Sequence, residues 1–103
     1  MRSRAGCGAV LTSGAIKFDR ASLQVAVEGI EIELSKKERD LLLLFLTNTG
    51  RVLSRERILN SVWGLNADPL TNVVDVYVGR LRRKIGSEGE RIVTLRNVGY
   101  RMI

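Results

Sequence analysis

Residues 71–101 read TNVVDVYVGRLRRKIGSEGERIVTLRNVGYR, and a change of hydrophobic period inside this stretch decides the fold. On a helical wheel of about 100° per residue, with Val74 at zero, Tyr77, Val78, Leu81 and Ile85 fall within about 60° of it. That stripe predicts a helix over 72–85 packed on a core, with Asn72 or Thr71 as its cap. The opposite face carries Asn72, Val76, Gly79 and Arg83. Arg80 and Val73 flank it on one side, Arg82 and Asp75 on the other. A short acidic spacer follows, and then the period drops to that of a strand. Ile92, Val93 and Leu95 form one strand, and Tyr100, Met102 and Ile103 the return. Arg96-Asn97-Val98-Gly99 makes the bend, where Asn97 and Gly99 tolerate left-handed backbone.

Two features of the helix are odd for a merely solvated face. Gly79 costs roughly 1 kcal/mol against alanine in a helix interior. Val76 is apolar and β-branched, yet points away from the core stripe. A small residue and a methyl-bearing one, flanked by arginines, suit a helix lying in the major groove of DNA. There valine methyls can meet thymine methyls, and arginine can reach guanine or phosphate. A basic surface helix with an incidental glycine is the bland alternative. The hairpin must close the core, but that does not account for Arg96 at its tip. Residues 79–101 carry seven Lys/Arg (80, 82, 83, 84, 91, 96, 101) against two acids (88, 90), so the charge is concentrated on this helix and hairpin.

Working outward, residues 9–34 alternate with period two and predict half-buried strands. Ile16 and Phe18 share one face. Glu28-Gly29 reads as a two-residue turn between strands. In that register Val27 faces Ile30, Val25 faces Ile32 and Leu23 faces Leu34. A short strand near Val10-Leu11 would complete a small antiparallel sheet with one wet face. Ser35-Lys36-Lys37-Glu38 is a capping box, opening a helix whose Leu41, Leu42, Phe45 and Leu46 face the core. Asn48 and Gly50 end it. Arg51-Val52-Leu53 reads as an extended link. Ser54 caps a second helix with Glu56 in its first turn, a buried stripe of Ile58, Leu59, Val62 and Trp63, and a stop at Gly64. Residues 64–71 form a loop around Pro69.

The chain has 103 residues, the size of one domain, and is hydrophobic enough to form a core without staples. Its net charge of +6 favours polyanionic partners. A single cysteine, Cys7, and no histidine exclude an internal disulfide, a structural zinc site and a His-based triad. The pattern thus calls for no metal, no cofactor and no enzyme. Leu41 to Leu46, the longest apolar run, is far short of a membrane span, and the lack of a disulfide framework fits a reducing cytoplasm. Five aromatics without a stacking pattern argue against single-stranded RNA. Residues 1–8 read as a linker remnant or tag before a domain over 9–103.

Several segments then match one family. These are Leu34-Ser35-x-x-Glu38, Gly50-Arg51-Val52-Leu53-Ser54-Arg55-Glu56, Val62-Trp63-Gly64, Val74-Asp75-Val76, Arg80-Leu81-Arg82-Arg83-Lys84-Ile85 and Thr94-x-Arg96-x-x-Gly99-Tyr100-Arg101. In this order and spacing, over residues 9–103, the chain resembles the OmpR/PhoB-type winged-helix effector domain of bacterial two-component response regulators. The resemblance implies an α+β fold: an N-terminal four-stranded antiparallel sheet, three helices and a C-terminal hairpin wing. It implies sequence-specific double-stranded DNA binding for transcriptional regulation, with helix 72–85 in the major groove and wing 92–103 in the minor groove. By position, Arg80 and Val76 match base contacts, and Asn72, Val73, Tyr77 and Arg82 match backbone contacts. Thr94, Arg96 and Tyr100 match wing contacts. The wheel puts Arg83 at the centre of the outer face, whereas the family pattern favours Arg80 and Arg82, so Arg83, near the helix exit, ranks lower as a DNA contact. Trp63 matches a phosphate contact, although its spacing places it in the core first. Leu65, Asn66 and Asp68 fall in a loop that in this family can contact RNA polymerase.

The same resemblance implies promoter direct repeats bound by a tandem dimer, a receiver domain preceding this one, and a sensor kinase. This chain has no room for the receiver, so it reads as a fragment or as a stand-alone regulator. Gly79 stands where many members carry arginine, and Asn72 where some do. Both departures remove a possible cationic contact to phosphate, although Asn72 keeps an amide at its position. The competing reading is a winged-helix protein-interaction module with incidental DNA affinity.

Overall fold

The computed structural model describes residues 10–64, 68 and 72–103. Four short strands come first: β1 (Val10–Ser13), β2 (Ile16–Asp19), β3 (Gln24–Val27) and β4 (Ile30–Ile32). They form one antiparallel sheet in sequence order. Alternation puts Ile16, Phe18, Val25 and Val27 on its buried face. The Glu28-Gly29 turn is as expected, with positive φ at both residues (54° and 79°). It sets Val27 opposite Ile30 and Val25 opposite Ile32.

The expected third pair, Leu23 with Leu34, does not form. Leu23 has φ 63° and donates its N–H to the Asp19 carbonyl at 2.7 Å, inside the β2–β3 turn. Its side chain is exposed, whereas Leu34 lies beyond β4 and is buried. Period-two patterning continued through a residue that the turn chemistry had claimed.

Helix α1 (Lys36–Thr47) begins with the full capping box. Ser35 Oγ accepts from the Glu38 N–H at 3.3 Å, and Glu38 Oε1 accepts from the Ser35 N–H at 2.8 Å. Leu41, Leu42 and Phe45 are fully buried, and α1 packs against both other helices and the last strand. Truncating Phe45 to alanine at this centre would cost about 3–5 kcal/mol. Helix α2 (Arg55–Trp63) is capped by Ser54 Oγ, which accepts from the Arg57 N–H at 3.0 Å, and stops at Gly64. Helix α3 (Val73–Lys84) starts one residue later and ends one residue earlier than its periodicity suggested. Asn72 holds the cap position but makes no side-chain capping bond, and Thr71 lies outside the described residues.

Two segments differ from the sequence reading. Arg51-Val52-Leu53 is more than a link: Val52–Ser54 is strand β5. It pairs with β7 (Gly99–Met102), which also pairs with β6 (Ile92–Leu95), giving a three-stranded sheet ordered β5-β7-β6. Three residues are too few to show a period, so only the partner strand reveals this one. The acidic spacer is a 3₁₀ turn over Gly86–Arg91. Ile103 does not extend the return strand: it is exposed, and its N–H donates to the Arg91 carbonyl at 2.9 Å. The expected N-terminal linker at 1–8 and most of the 64–71 loop lie outside the described residues.

Candidate nucleic-acid interface

Helix α3 is amphipathic in the sense its wheel predicts. Val74, Val78 and Leu81 are buried, as is Ile85 just past its end. Asp75 in the first turn and Arg82, Arg83 and Lys84 in the last complement the helix dipole. On the outer side Asn72, Val76, Arg80 and Arg83 are exposed. Val76 is 41% exposed, an apolar side chain held in water with no core to cover it. Gly79 leaves open space beside it, and a Cβ there would meet only the end of Arg83, at 3.8 Å.

The remaining candidates divide by depth. Val73 and Tyr77 are half-buried against the core, as is Trp63. The Trp63 and Tyr77 rings meet edge to face at 5.1 Å and 77°. The Arg80 guanidinium then lies 5.0 Å from the centre of the Tyr77 ring. These three side chains form a ladder from the core to the outer face of α3, and Arg80 at its end is exposed. In the wing, Thr94 and Arg96 are exposed, and Asn97 takes the left-handed conformation (φ 63°) that the bend requires. Val98, which the sequence reading did not single out, is 52% exposed beside them. Tyr100 is buried instead, and Arg82 turns toward the wing. Asp68 is exposed, whereas Leu65 and Asn66 lie outside the described residues.

One constellation was not foreseen as a unit. The Asp75 carboxylate accepts from Arg55 Nε at 2.9 Å and from the Tyr100 hydroxyl. Arg55 also lies over the Tyr100 ring, 5.4 Å from its centre. Residues of α2, α3 and β7 thus meet at the N-terminal end of the exposed helix face. Burial pushes the Asp75 carboxyl upward, but the bonds from Tyr100 and Arg55 outweigh it and hold it below the usual carboxylate range. The bond to Asp75 raises Arg55. Burial, and then the bond to Asp75, raise Tyr100. Asp75 is therefore ionised and both partners are protonated at neutral pH. Among the described residues, no group of three or more acids, histidines or cysteines could hold a metal ion, and no helix is long and apolar enough to cross a membrane.

A helix with an exposed basic face beside a basic wing is the arrangement of a known family. Residues 29–102 match the family described as transcriptional regulatory protein, C terminal. The chain belongs to this family. The response regulator ArlR of Staphylococcus aureus is 45% identical over 93 residues, covering 88% of this chain and 42% of that protein. The chain therefore spans less than half the length of that curated relative. Among solved structures, the DNA-binding domain of Klebsiella pneumoniae RstA, in complex with the RstA box, superposes with a TM-score of 0.81. It is 31% identical, over 90% of this chain and 95% of that one. The DNA-binding domain of CpxR from E. coli gives 0.79 at 30% identity, over 90% and 94%. The expected α+β winged-helix architecture of the OmpR/PhoB type is thereby established for this transcriptional-regulator domain.

Proposed function

We propose that this domain binds double-stranded DNA sequence-specifically, with α3 in a major groove and the wing in the adjoining minor groove. The observation that carries the reading is the outer face of α3, where Val76 and Arg80 are both held exposed to solvent. In this reading Arg80 and Val76 contact base edges, and Asn72 and Arg83 lie along the phosphates. Arg96 at the wing tip enters the narrower groove, where arginine finds enhanced negative potential. Tyr77 and Trp63 act mainly by supporting Arg80, and Tyr100 by supporting Asp75. The solved complex of the RstA domain with its box supports the DNA reading by likeness.

The remaining parts of this proposal follow from the family likeness and reach beyond the DNA-facing surface. They are tandem binding to direct repeats, a receiver domain under a sensor kinase, and a contact between Asp68 and RNA polymerase. Fluorescence anisotropy with a promoter duplex and its scrambled counterpart tests the central reading. Affinity for the promoter should exceed that for the scrambled duplex, and the log–log salt slope should fall by about 0.9 per phosphate neutralised. Equal affinity for both duplexes at physiological salt would sink sequence specificity.

A further inference from the structure

Arg82 was expected to contact the DNA backbone, yet its guanidinium is already engaged within the fold. Its Nε and Nη2 donate to the Ile92 carbonyl at 3.1 and 2.5 Å, and Nη2 also reaches Thr94 Oγ1 at 2.7 Å. The same group lies 5.7 Å from the centre of the Tyr100 ring. Arg82 is half-buried, whereas Arg80 and Arg83 beside it are exposed. Ile92 opens β6, which among the described residues has a strand on one side only, β7. Arg82 thus satisfies a carbonyl on an edge strand, and grips the side chain of Thr94, two residues nearer the wing tip. Close packing holds the other side of this joint. A Cβ on Gly89 would meet the Arg82 carbonyl at 2.5 Å, so the 3₁₀ turn is pressed against the same residue.

From this geometry we infer that Arg82 is a positioning residue, which sets the wing at a defined angle to α3 and so fixes the spacing of the two DNA-facing elements. The planar fork is what the role requires. Two donors of one rigid group converge on one carbonyl while one of them reaches the hydroxyl, and a lysine ammonium cannot reproduce that geometry. Lysine would, however, preserve a simple charge contact to phosphate. The inference rests on the DNA reading for its functional half, but its structural half can be tested without DNA.

The experiment compares amide hydrogen exchange across residues 92–99 in wild type, Arg82→Lys and Thr94→Val, without DNA. Exchange across 41–45 serves as the folding control. Arg82→Lys should accelerate wing exchange about tenfold, as expected for loss of charge-assisted bonds, with the control unchanged. Thr94→Val, which removes one acceptor, should have a smaller effect in the same direction. Unchanged wing exchange in Arg82→Lys would overturn the inference. A double-mutant cycle on DNA affinity then joins Arg82→Lys with Arg96→Ala. If Arg82 acts through the wing, its loss should have little effect once Arg96 is gone. Strictly additive losses would instead show that Arg82 acts on DNA affinity independently of the wing, and would overturn the functional half. Absence of DNA binding by wild type would defeat the DNA reading and leave the exchange result standing.

Discussion

Lys84 Nζ donates to Glu38 Oε1 at 2.8 Å, so the last residue of α3 is tied to the first turn of α1. Glu38 is 3% exposed and also accepts the Ser35 N–H, so a single carboxylate serves the helix cap and the interhelical tie. The Lys84 side chain is nearly half exposed, which screens the charge attraction and leaves the hydrogen bonds as the larger contribution.

The acid limb of stability should carry this signature. Burial pushes Glu38 upward, but the bonds from Lys84 and Ser35 outweigh it and leave its carboxyl below the ordinary 4.5. A carboxylate with a folded pKa below its unfolded one contributes stability above the unfolded value and loses it as pH falls through the folded value. Wild type should therefore lose stability as pH falls below about 4.5, and Glu38→Gln should have a flatter acid limb in that window. At neutral pH the variant should be less stable by roughly 1–3 kcal/mol. Urea titrations across pH measure both, and parallel acid limbs would count against the tie. Asp75 and Glu88, also lowered, add to the acid sensitivity that both proteins share.

Two glycines should respond to alanine with opposite sign. Gly99 has φ 151°, and a Cβ there would lie 2.1 Å from the Leu53 carbonyl and 2.8 Å from Ser54 Cα. Gly99→Ala should destabilise by about 3 kcal/mol or more by prising β5 from β7. Gly79 sits inside α3 with open space around it, so Gly79→Ala should stabilise by roughly 1 kcal/mol. Chemical denaturation of the two variants decides the matter, and a stabilised Gly99→Ala would refute the close approach of the strands.

Arg80→Ala should reduce discrimination between cognate and mismatched duplexes by about 1–3 kcal/mol at the base pair it reads. Its stability should change little, because the side chain is exposed and meets Tyr77 only across the ring face. Competition binding against single-base variants of the site is the measurement. A uniform loss across all variants would reassign Arg80 to phosphate.

The Tyr100 hydroxyl is the donor that links the wing's return strand to Asp75. Tyr100→Phe keeps the ring in the core and removes only the hydroxyl, so it should cost about 1 kcal/mol. Asp75→Asn should cost at least as much, since it also weakens the Arg55 bond. If the hydroxyl and carboxylate act as one unit, the double variant should cost less than the sum. Thermal or urea unfolding of the four proteins completes the cycle.

Much of the fold was legible because it is written in local periods. The stripe of Val74, Val78, Leu81 and Ile85 determined which side of α3 is buried, and so which side is free. The Ser35 capping box determined where α1 begins. The Glu28-Gly29 turn set the β3–β4 register, because a two-residue loop permits one pairing. Each of these signals lies within a few residues of what it specifies.

Other features required the folded chain. Strand β5 is too short to carry a period and exists through its pairing with β7. Leu23 fits the alternation but belongs to a turn, where its own backbone bond to Asp19 competes with the sheet. The destinations of the long cationic side chains were hidden for a further reason. Arg55 finds Asp75, Lys84 finds Glu38 and Arg91 reaches back to Ser13, across separations of 20, 46 and 78 residues. A wheel assigns such a residue to a side of its helix, but several rotatable bonds separate its backbone from its charge. Only the packing of distant elements chooses among the reachable partners, and by that choice Arg80 is left facing outward while Arg82 is turned onto the wing.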